Sequence, residues 1–479
     1  MAKSTRKIAQ HLGGSKGNVL AERLGRSSME SVVVVPIEIG KSCHKALMAD
    51  CHGSILTEPF EFHSSDEGVR LLHHTISRVC REQQAGEVVL GLEATGHYYK
   101  KPAASICELG YRNLFVLNPL STAQCRKAGL TWSKTDEVDL RAIGQALLSG
   151  YGTLYRPEQP VWEDLRQLCR YRRFQVKRQT ALKNRTHAML DSLLPGIAQL
   201  EMFKDSHLWD PASLAFLAKY PSVELVSRLR PHRVVEFFRR RRRRLTPEGA
   251  HQLIRWTTET FNEAPAAQAT RQQILKSLLA QLEELSEQLS QLEIDLLSLL
   301  VRIPAVLLLS IDYVGPIRAA ELAGEITPFQ QYPSSRALIK AAGLDSTRFQ
   351  SATRESRHHP ISKKGSKNLR YISIHTAQDL MQHNDYFAYF SNRLMERGKS
   401  NNCACVATAA RFLRVAFSMI RDCRSFQPAD GLGVSEDPLS KIEAFLTQRQ
   451  ASDRTQECVS LARRYFQPQE VDTLKQATG

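Results

Sequence analysis

The sequence predicts an α/β plus α protein. A mixed sheet with helices comes first, then a helical, coiled-coil-like middle, then a mainly α-helical C-terminal part with a helix-hairpin-helix-like element. Three observations predict it. Short apolar runs alternate with helical periodicity between residues 31 and 148. Leucines recur in steps of three and four from Leu275 to Leu299. After Ile303-Pro304 a second compact unit opens on residues 312–322, which read as turn, glycine, then helix.

Residues 1–30 mix Lys, Arg, Gly and Ser without periodicity and read as a flexible basic arm. Residues 32–39 form a β-branched apolar run expected to be a buried strand. Two more strands are expected at 44–50 and 55–62, separated by the turn signal Cys51-His52-Gly53-Ser54. Residues 66–81 place Val69, Leu72, Ile76 and Val79 on one helical face behind the cap Ser64-Ser65. A strand at 88–93, a helix at 99–109 and a strand at 113–117 follow. Short helices are expected at 119–128 and 137–148. The order β-β-β-α-β-α-β-α-α describes a three-strand meander continued by alternating elements, with helices on both faces of a mixed sheet. That order is the one seen in ribonuclease-H-like folds.

Residues 156–260 are helical and basic. Arg166, Arg170, Arg172, Arg173, Lys177, Arg178, Lys183 and Arg185 crowd one helix, and Arg239–Arg244 is an unbroken arginine run. Both read as electrostatic footprints for phosphates, against the plainer reading of a solvated charged face. The leucine stripe of 275–299 fits either a coiled coil between chains or an antiparallel pairing with the basic helix of the same chain. In residues 312–322 a backbone N–H group near Gly315 could meet a phosphate, although a plain helical turn has the same spacing. Residues 426–479 read as a polar linker and two amphipathic helices. At a prior of about 150 residues per domain, the divisions are 1–30, 31–155, 156–303, 304–425 and 426–479.

The chain of 479 residues carries a net charge of +16, which favours a polyanionic partner. Nucleic acid is the expected one, because no apolar run approaches the roughly 18–20 residues that cross a membrane. The ten cysteines are scattered, and only Cys403 and Cys405 lie close. That spacing suits reduced thiols in a cytosolic protein better than a zinc site.

Two clusters carry chemistry. Glu38 and Glu93 each end an expected strand, and Asp136 and Asp139 lie three apart at a helix start. Carboxylates are the ligands Mg²⁺ prefers, and phosphoryl transfer around two ions needs several of them. Asp136 could instead cap its helix. The second cluster surrounds Ser351 with Arg348, Arg354, Arg357, Lys363, Lys364, Lys367 and Arg370. A serine so placed could attack a phosphodiester while the cations offset transition-state charge, or could merely contact phosphate.

The motifs Glu93-Ala94-Thr95-Gly96-His97-Tyr98, Lys134-Thr135-Asp136-Glu137-Val138-Asp139, Val314-Gly315-Pro316, Ala342-Gly343-Leu344, Phe349-Gln350-Ser351 and Ile361-Ser362-Lys363-Lys364-Gly365-Ser366 occur in this order. Over about residues 32–150 and 304–385 the chain resembles the DEDD transposases of one family of bacterial insertion sequences, also called bridge-RNA-guided recombinases. The resemblance implies an N-terminal RuvC-like domain, related to ribonuclease H, and a C-terminal domain with a catalytic serine. It makes Glu38, Glu93, Asp136 and Asp139 the Mg²⁺ ligands and Ser351 the nucleophile that joins DNA as a phosphoserine. It further implies donor and target DNA, a structured guide (bridge) RNA, and a homo-oligomer, dimer or tetramer, in which carboxylates and serine come from different protomers. The heptads would then serve assembly. Lys134, Arg173, Arg178, Gly315, Arg348, Lys363, Lys364 and Lys367 are the expected nucleic-acid contacts, and the bacterial cytoplasm at the nucleoid the expected location. The sequence departs from the family where Asp is usual at Glu38, Ser at Gly40 and Gly at Ala352. A metal-dependent junction nuclease and a catalytically lapsed DNA- or RNA-binding protein remain alternatives.

Overall fold

A computed structural model describes residues 31–128, 135–157, 159–261, 265–347, 350–351, 354–355 and 360–467. The basic arm 1–30, Lys134 and Arg348 lie outside these residues, as do Arg357 and the end of the tail. The chain divides into two compact units, Met1–Glu158 with Pro328–Gln331, and Gln159–Thr327 with Tyr332–Gly479.

The first unit is built on β1 (Val32–Glu38), β2 (Cys43–Ala46), β3 (Phe60–His63), α1 (Asp66–Glu82), β4 (Glu87–Glu93) and α2 (Lys100–Glu108). It is completed by β5 (Leu114–Leu117), α3 (Pro119–Ala128), α4 (Asp136–Leu148) and β6 (Thr153–Leu154). The six strands form one sheet in the order β3-β2-β1-β4-β5-β6. β1 runs parallel to β4 and antiparallel to β2. Val32, Val34, Val89 and Leu117 pack under Ile143 and Leu147 of α4 on one side of β1. Val33, Val35 and Ile37 pack with Leu72 and Ile76 of α1 on the other. Burial on both faces explains why β1 reads as a continuous run rather than an alternation.

The second and third strands are shorter than expected. Between them only isolated pairings join Val34 to Ala49 and Ala49 to Ile55. The Asp50 carboxylate accepts from the amides of His52 and Ser54, both at 2.8 Å, and so makes the turn at the Cys51–Ser54 signal where one was expected. β6 was not expected at all. Two residues behind Gly150 and Gly152, both at positive φ, carry no alternation to detect.

The second unit opens with α5 (Pro160–Leu193). A run of 3-10 turns leads to α6 (Pro211–Lys219), α7 (Val223–Ser227), α8 (Pro231–Arg240), α9 (Pro247–Glu259) and α10 (Pro265–Leu300). Arg271 donates to Ser192 at 2.6 Å, Gln179 to Ser286 at 3.1 Å and Arg172 to Glu293 at 2.8 Å. One number rises as the other falls, so α5 and α10 are antiparallel. Leu278, Leu282, Leu285 and Leu289 are buried there with Leu182, against the partly buried Val176 and Met189. Of the two readings of the leucine stripe, the structure has the pairing within one chain. Most of the stripe is therefore covered without a second copy.

The charges of α5 also turn inward in part. Arg172 pairs with Glu293 at 2.5 Å and Glu321 at 3.2 Å, and Arg170 with Glu325 at 3.1 Å. Arg166 donates to the Gly324 carbonyl at 3.0 Å. These arginines satisfy carboxylates and a helix end of the same unit, whereas Lys177, Arg178 and Arg185 stay exposed. In the arginine run, Arg243 ties Asp210 at 2.6 Å and Arg241 stacks 3.9 Å over Phe237.

The remaining elements are α11 (Pro316–Glu325), α12 (Ser335–Ala341), the hairpin β7 (Gln350–Ser351) and β8 (Arg354–Glu355), α13 (Lys367–His383), α14 (Asp385–Glu396), α15 (Asn401–Asp422), α16 (Ser440–Gln448) and α17 (Thr455–Phe466). α15 is the one helix among the described residues long and apolar enough to cross a membrane, which the sequence reading missed. Its Ala404, Thr408, Phe412, Leu413 and Ala416 are buried as those of a core helix are.

Candidate active site

The parallel register pairs Ile37 with Leu92, so Glu38 and Glu93 end neighbouring strands at the same edge of the sheet. α4 brings Asp136 and Asp139 to that edge. Its cap is Thr135, whose hydroxyl accepts from the Val138 amide at 3.3 Å. Asp136 is thereby free of the capping role and pairs at 2.7 Å with Lys45, the residue opposite Glu38 across β1 and β2. Lys45 also holds Glu61 at 3.1 Å. The Asp136 hydrogen bond, ahead of the one to Glu61, pushes its ammonium above the usual lysine range.

The other two acids are likewise held. Arg126 of α3 donates to Asp139, and the Thr122 hydroxyl donates to Glu93. Glu38 differs. Its buried Oε2 has no hydrogen-bond partner among the described residues. Burial first, then the charges of Asp136 and Asp139, raise its carboxyl from 4.5 to about 7, with Lys45 opposing and Glu93 adding to the rise. Four acids therefore share one field, and three have taken a protein donor. No three His, Cys, Asp or Glu side chains among the described residues close on a common point as a metal shell would.

The donor set nevertheless fits a hard divalent cation. It is all carboxylate, lies at a strand edge, and leaves one buried oxygen unsatisfied. Lys45, Thr122 and Arg126 were missed in the sequence. No spacing rule marks them, and only the strand register and the placement of α3 bring them to the acids.

In the second unit Ser351 sits in β7, paired with Arg354 of β8. The base of this excursion is fastened at several points. Ser346 bridges to Ile361, Thr347 donates its amide to the Pro360 carbonyl at 2.9 Å, and the Ser362 hydroxyl donates to Asp345 at 2.5 Å. Arg370 reaches back to the carbonyls of Ala342 at 3.0 Å and Lys363 at 3.3 Å. Gly343 has φ +64, and a Cβ on Gly365 would lie 2.2 Å from the Ala341 carbonyl oxygen. Gly365→Ala is therefore expected to displace the base of the hairpin, costing roughly 1–3 kcal/mol, and to lower activity while unit 1 stays folded. Limited proteolysis and an activity assay on the same sample check this.

Lys363, Lys364 and Lys367 stand exposed around the start of α13, whose cap is Ser366. Gly315 is the cap residue of α11. Arg173 lies 5.1 Å from the centroid of the Tyr371 ring and is half-buried, whereas Arg178 is exposed.

Comparison with known proteins places both clusters in matched segments. A transposase family model matches residues 35–195, which contain all four carboxylates. The model of the transposase IS116/IS110/IS902 family matches residues 305–391, which contain Ser351 and the three lysines. No curated protein matches the sequence. Carboxylate-bearing and serine-bearing segments each matching a transposase model, in this order along one chain, make it a member of the IS116/IS110/IS902 family of transposases, DNA-processing enzymes of insertion sequences.

Proposed function

We propose that this transposase cuts and rejoins DNA through a transient phosphoserine at Ser351, with Mg²⁺ held by Glu38, Glu93, Asp136 and Asp139. A structured guide RNA would select donor and target. The observation that carries the reading is the acidic cluster at the sheet edge, with its unpartnered Glu38 oxygen. The strand order with β2 antiparallel between β1 and β3 supports a ribonuclease-H-like, RuvC-like descent. Residues 31–155 would then be the acidic catalytic domain, 156–303 a basic helical region, and 304–425 the serine-bearing domain. The arm 1–30 and the tail 426–479 would flank them.

When bound, the ion supplies Lewis-acid stabilisation of charge on the phosphoryl oxygens. Glu38, Glu93, Asp136 and Asp139 would hold the ion, Glu38 as the deprotonated carboxylate, and Lys45 and Arg126 would release the Asp136 and Asp139 oxygens they now pair with. The Ser351 Oγ attacks phosphorus as its proton leaves. One P–O bond to the neighbouring nucleotide breaks, and that nucleotide departs with a free hydroxyl. Rejoining reverses the step with a hydroxyl from the other strand, so no external energy source is consumed. Exposed Lys363, Lys364 and Lys367 would hold the phosphates beside the serine, and exposed Arg178 would add to a backbone contact. Most of the leucine stripe being covered within the chain, the oligomer, dimer or tetramer, would use other surfaces. The bacterial nucleoid is the location such a substrate implies.

Incubation of the full chain with its element RNA, DNA carrying the element ends, and Mg²⁺ tests the reading. A denaturing gel should show DNA covalently attached to protein, dependent on RNA and metal. Cut ends without attachment would favour hydrolysis by a junction nuclease, and binding without cutting a lapsed enzyme.

A further inference from the structure

The tail 426–479 lies outside both family-matched segments, yet it is joined to the loop that starts α11. The Asp312 amide donates to the Gly433 carbonyl at 2.9 Å, the Ser435 amide to the Ser310 carbonyl at 2.8 Å, and Ile311 bridges to Val434. Lys441 of α16 then inserts its ammonium under the loop. Nζ donates to the carbonyls of Leu309 at 2.9 Å, Ile311 at 2.9 Å and Val314 at 3.3 Å, with the Asp312 carboxylate 4.0 Å away. Tyr313 meanwhile is held at φ +62, a conformation that a bulky residue keeps only when its surroundings over-determine it.

Carbonyl oxygens converging on one positive point, with a carboxylate just beyond, are what a dehydrated monovalent cation requires. An ammonium has the same charge and about the same size, and its three N–H groups match three acceptors. We propose that the carbonyl cage of Leu309, Ile311 and Val314 is a monovalent-cation site that the chain fills with its own Lys441, a tethered ion that sets the shape of the loop leading into α11. The role goes beyond the strand-transfer reading and does not depend on it. It gives the tail a task that neither matched segment supplies. Burial, opposed by Asp312, lowers the Lys441 ammonium to about 8, so the tether can be neutralised without mutation.

The test is thermal unfolding of the full chain in KCl, NH₄Cl or choline chloride at equal ionic strength, choline being too large for the cage. Wild type near neutral pH should be indifferent to the cation. Lys441→Met keeps the aliphatic stem but vacates the cage. In choline chloride it should melt roughly 3–5 °C lower and recover at least half of that in KCl or NH₄Cl. Lys441→Arg should not restore wild-type behaviour, because a planar guanidinium cannot point donors at all three carbonyls. Should Lys441→Met fail to fold, wild type alone decides. At about pH 9.5, above the lowered ammonium value, it should acquire a K⁺-over-choline stabilisation absent near pH 7. Equal melting of Lys441→Met in all three salts, or no cation preference of wild type at the alkaline pH, would overturn the proposal and leave Lys441 a packing residue.

Discussion

Ser351→Ala is expected to abolish the covalent protein–DNA adduct and to reduce strand exchange by about 10³-fold or more. The substitution removes one oxygen and leaves the pairing of β7 with β8 in place, because that ladder uses backbone groups of residues 350, 351, 354 and 355. The fastening at Asp345 and Ser362 is likewise untouched. Affinity for DNA should therefore stay within about 1 kcal/mol of wild type, since the exposed lysines at 363, 364 and 367 remain. The check is a denaturing gel beside a binding titration on one preparation. An adduct of undiminished yield in Ser351→Ala would place the attachment on another residue and remove the serine from the mechanism.

Glu93→Gln is expected to lower metal-dependent cleavage by about 10²-fold or more, because an amide is a poor ligand for Mg²⁺. The same change should leave the metal-free protein at least as stable as wild type. Glutamine keeps an oxygen to accept from Thr122, and it removes one of the charges that press on Glu38. Less activity with undiminished stability in EDTA is a combination that simple misfolding cannot give. Melting curves in EDTA and cleavage assays in Mg²⁺ measure the two halves separately. A variant that melts lower and loses activity in proportion would mark Glu93 as structural only.

Much of the first unit was legible because its elements differ in period. The valine run of β1, the face Val69-Leu72-Ile76-Val79 of α1 and the paired acids of α4 each announce their element locally. What was illegible depends on distance in sequence. Lys45 meets Asp136 only because a hairpin folds beside α4. The short β6 forms only because β5 offers an edge to it. The leucine stripe showed its periodicity plainly but could not say which helix it would meet. The answer lies in polar pairs such as Arg172 with Glu293, which fix the antiparallel register inside one chain. The basic helix was misleading in proportion, since charge in a sequence does not reveal that Arg170 and Arg172 face buried carboxylates. The serine's carrier, a hairpin fastened at its base by Asp345 and Ser362, shows no alternation, because β7 and β8 are only two residues each.

The central claim is that the acids at the edge of the first sheet are a divalent-cation site, and thermal unfolding with and without Mn²⁺ tests it most directly. The sign follows from Glu38. Its carboxyl is raised to about 7 in the folded chain, so in metal-free protein its contribution to stability is fully present below the ordinary carboxylate value and is lost as pH rises through 7. Metal binding needs the deprotonated form. Mn²⁺ should therefore raise Tm strongly at about pH 8 and only weakly at about pH 6, and the gain should vanish in Asp136→Asn. A Tm indifferent to Mn²⁺ at the higher pH, or a gain that survives Asp136→Asn undiminished, would contradict the assignment of these carboxylates.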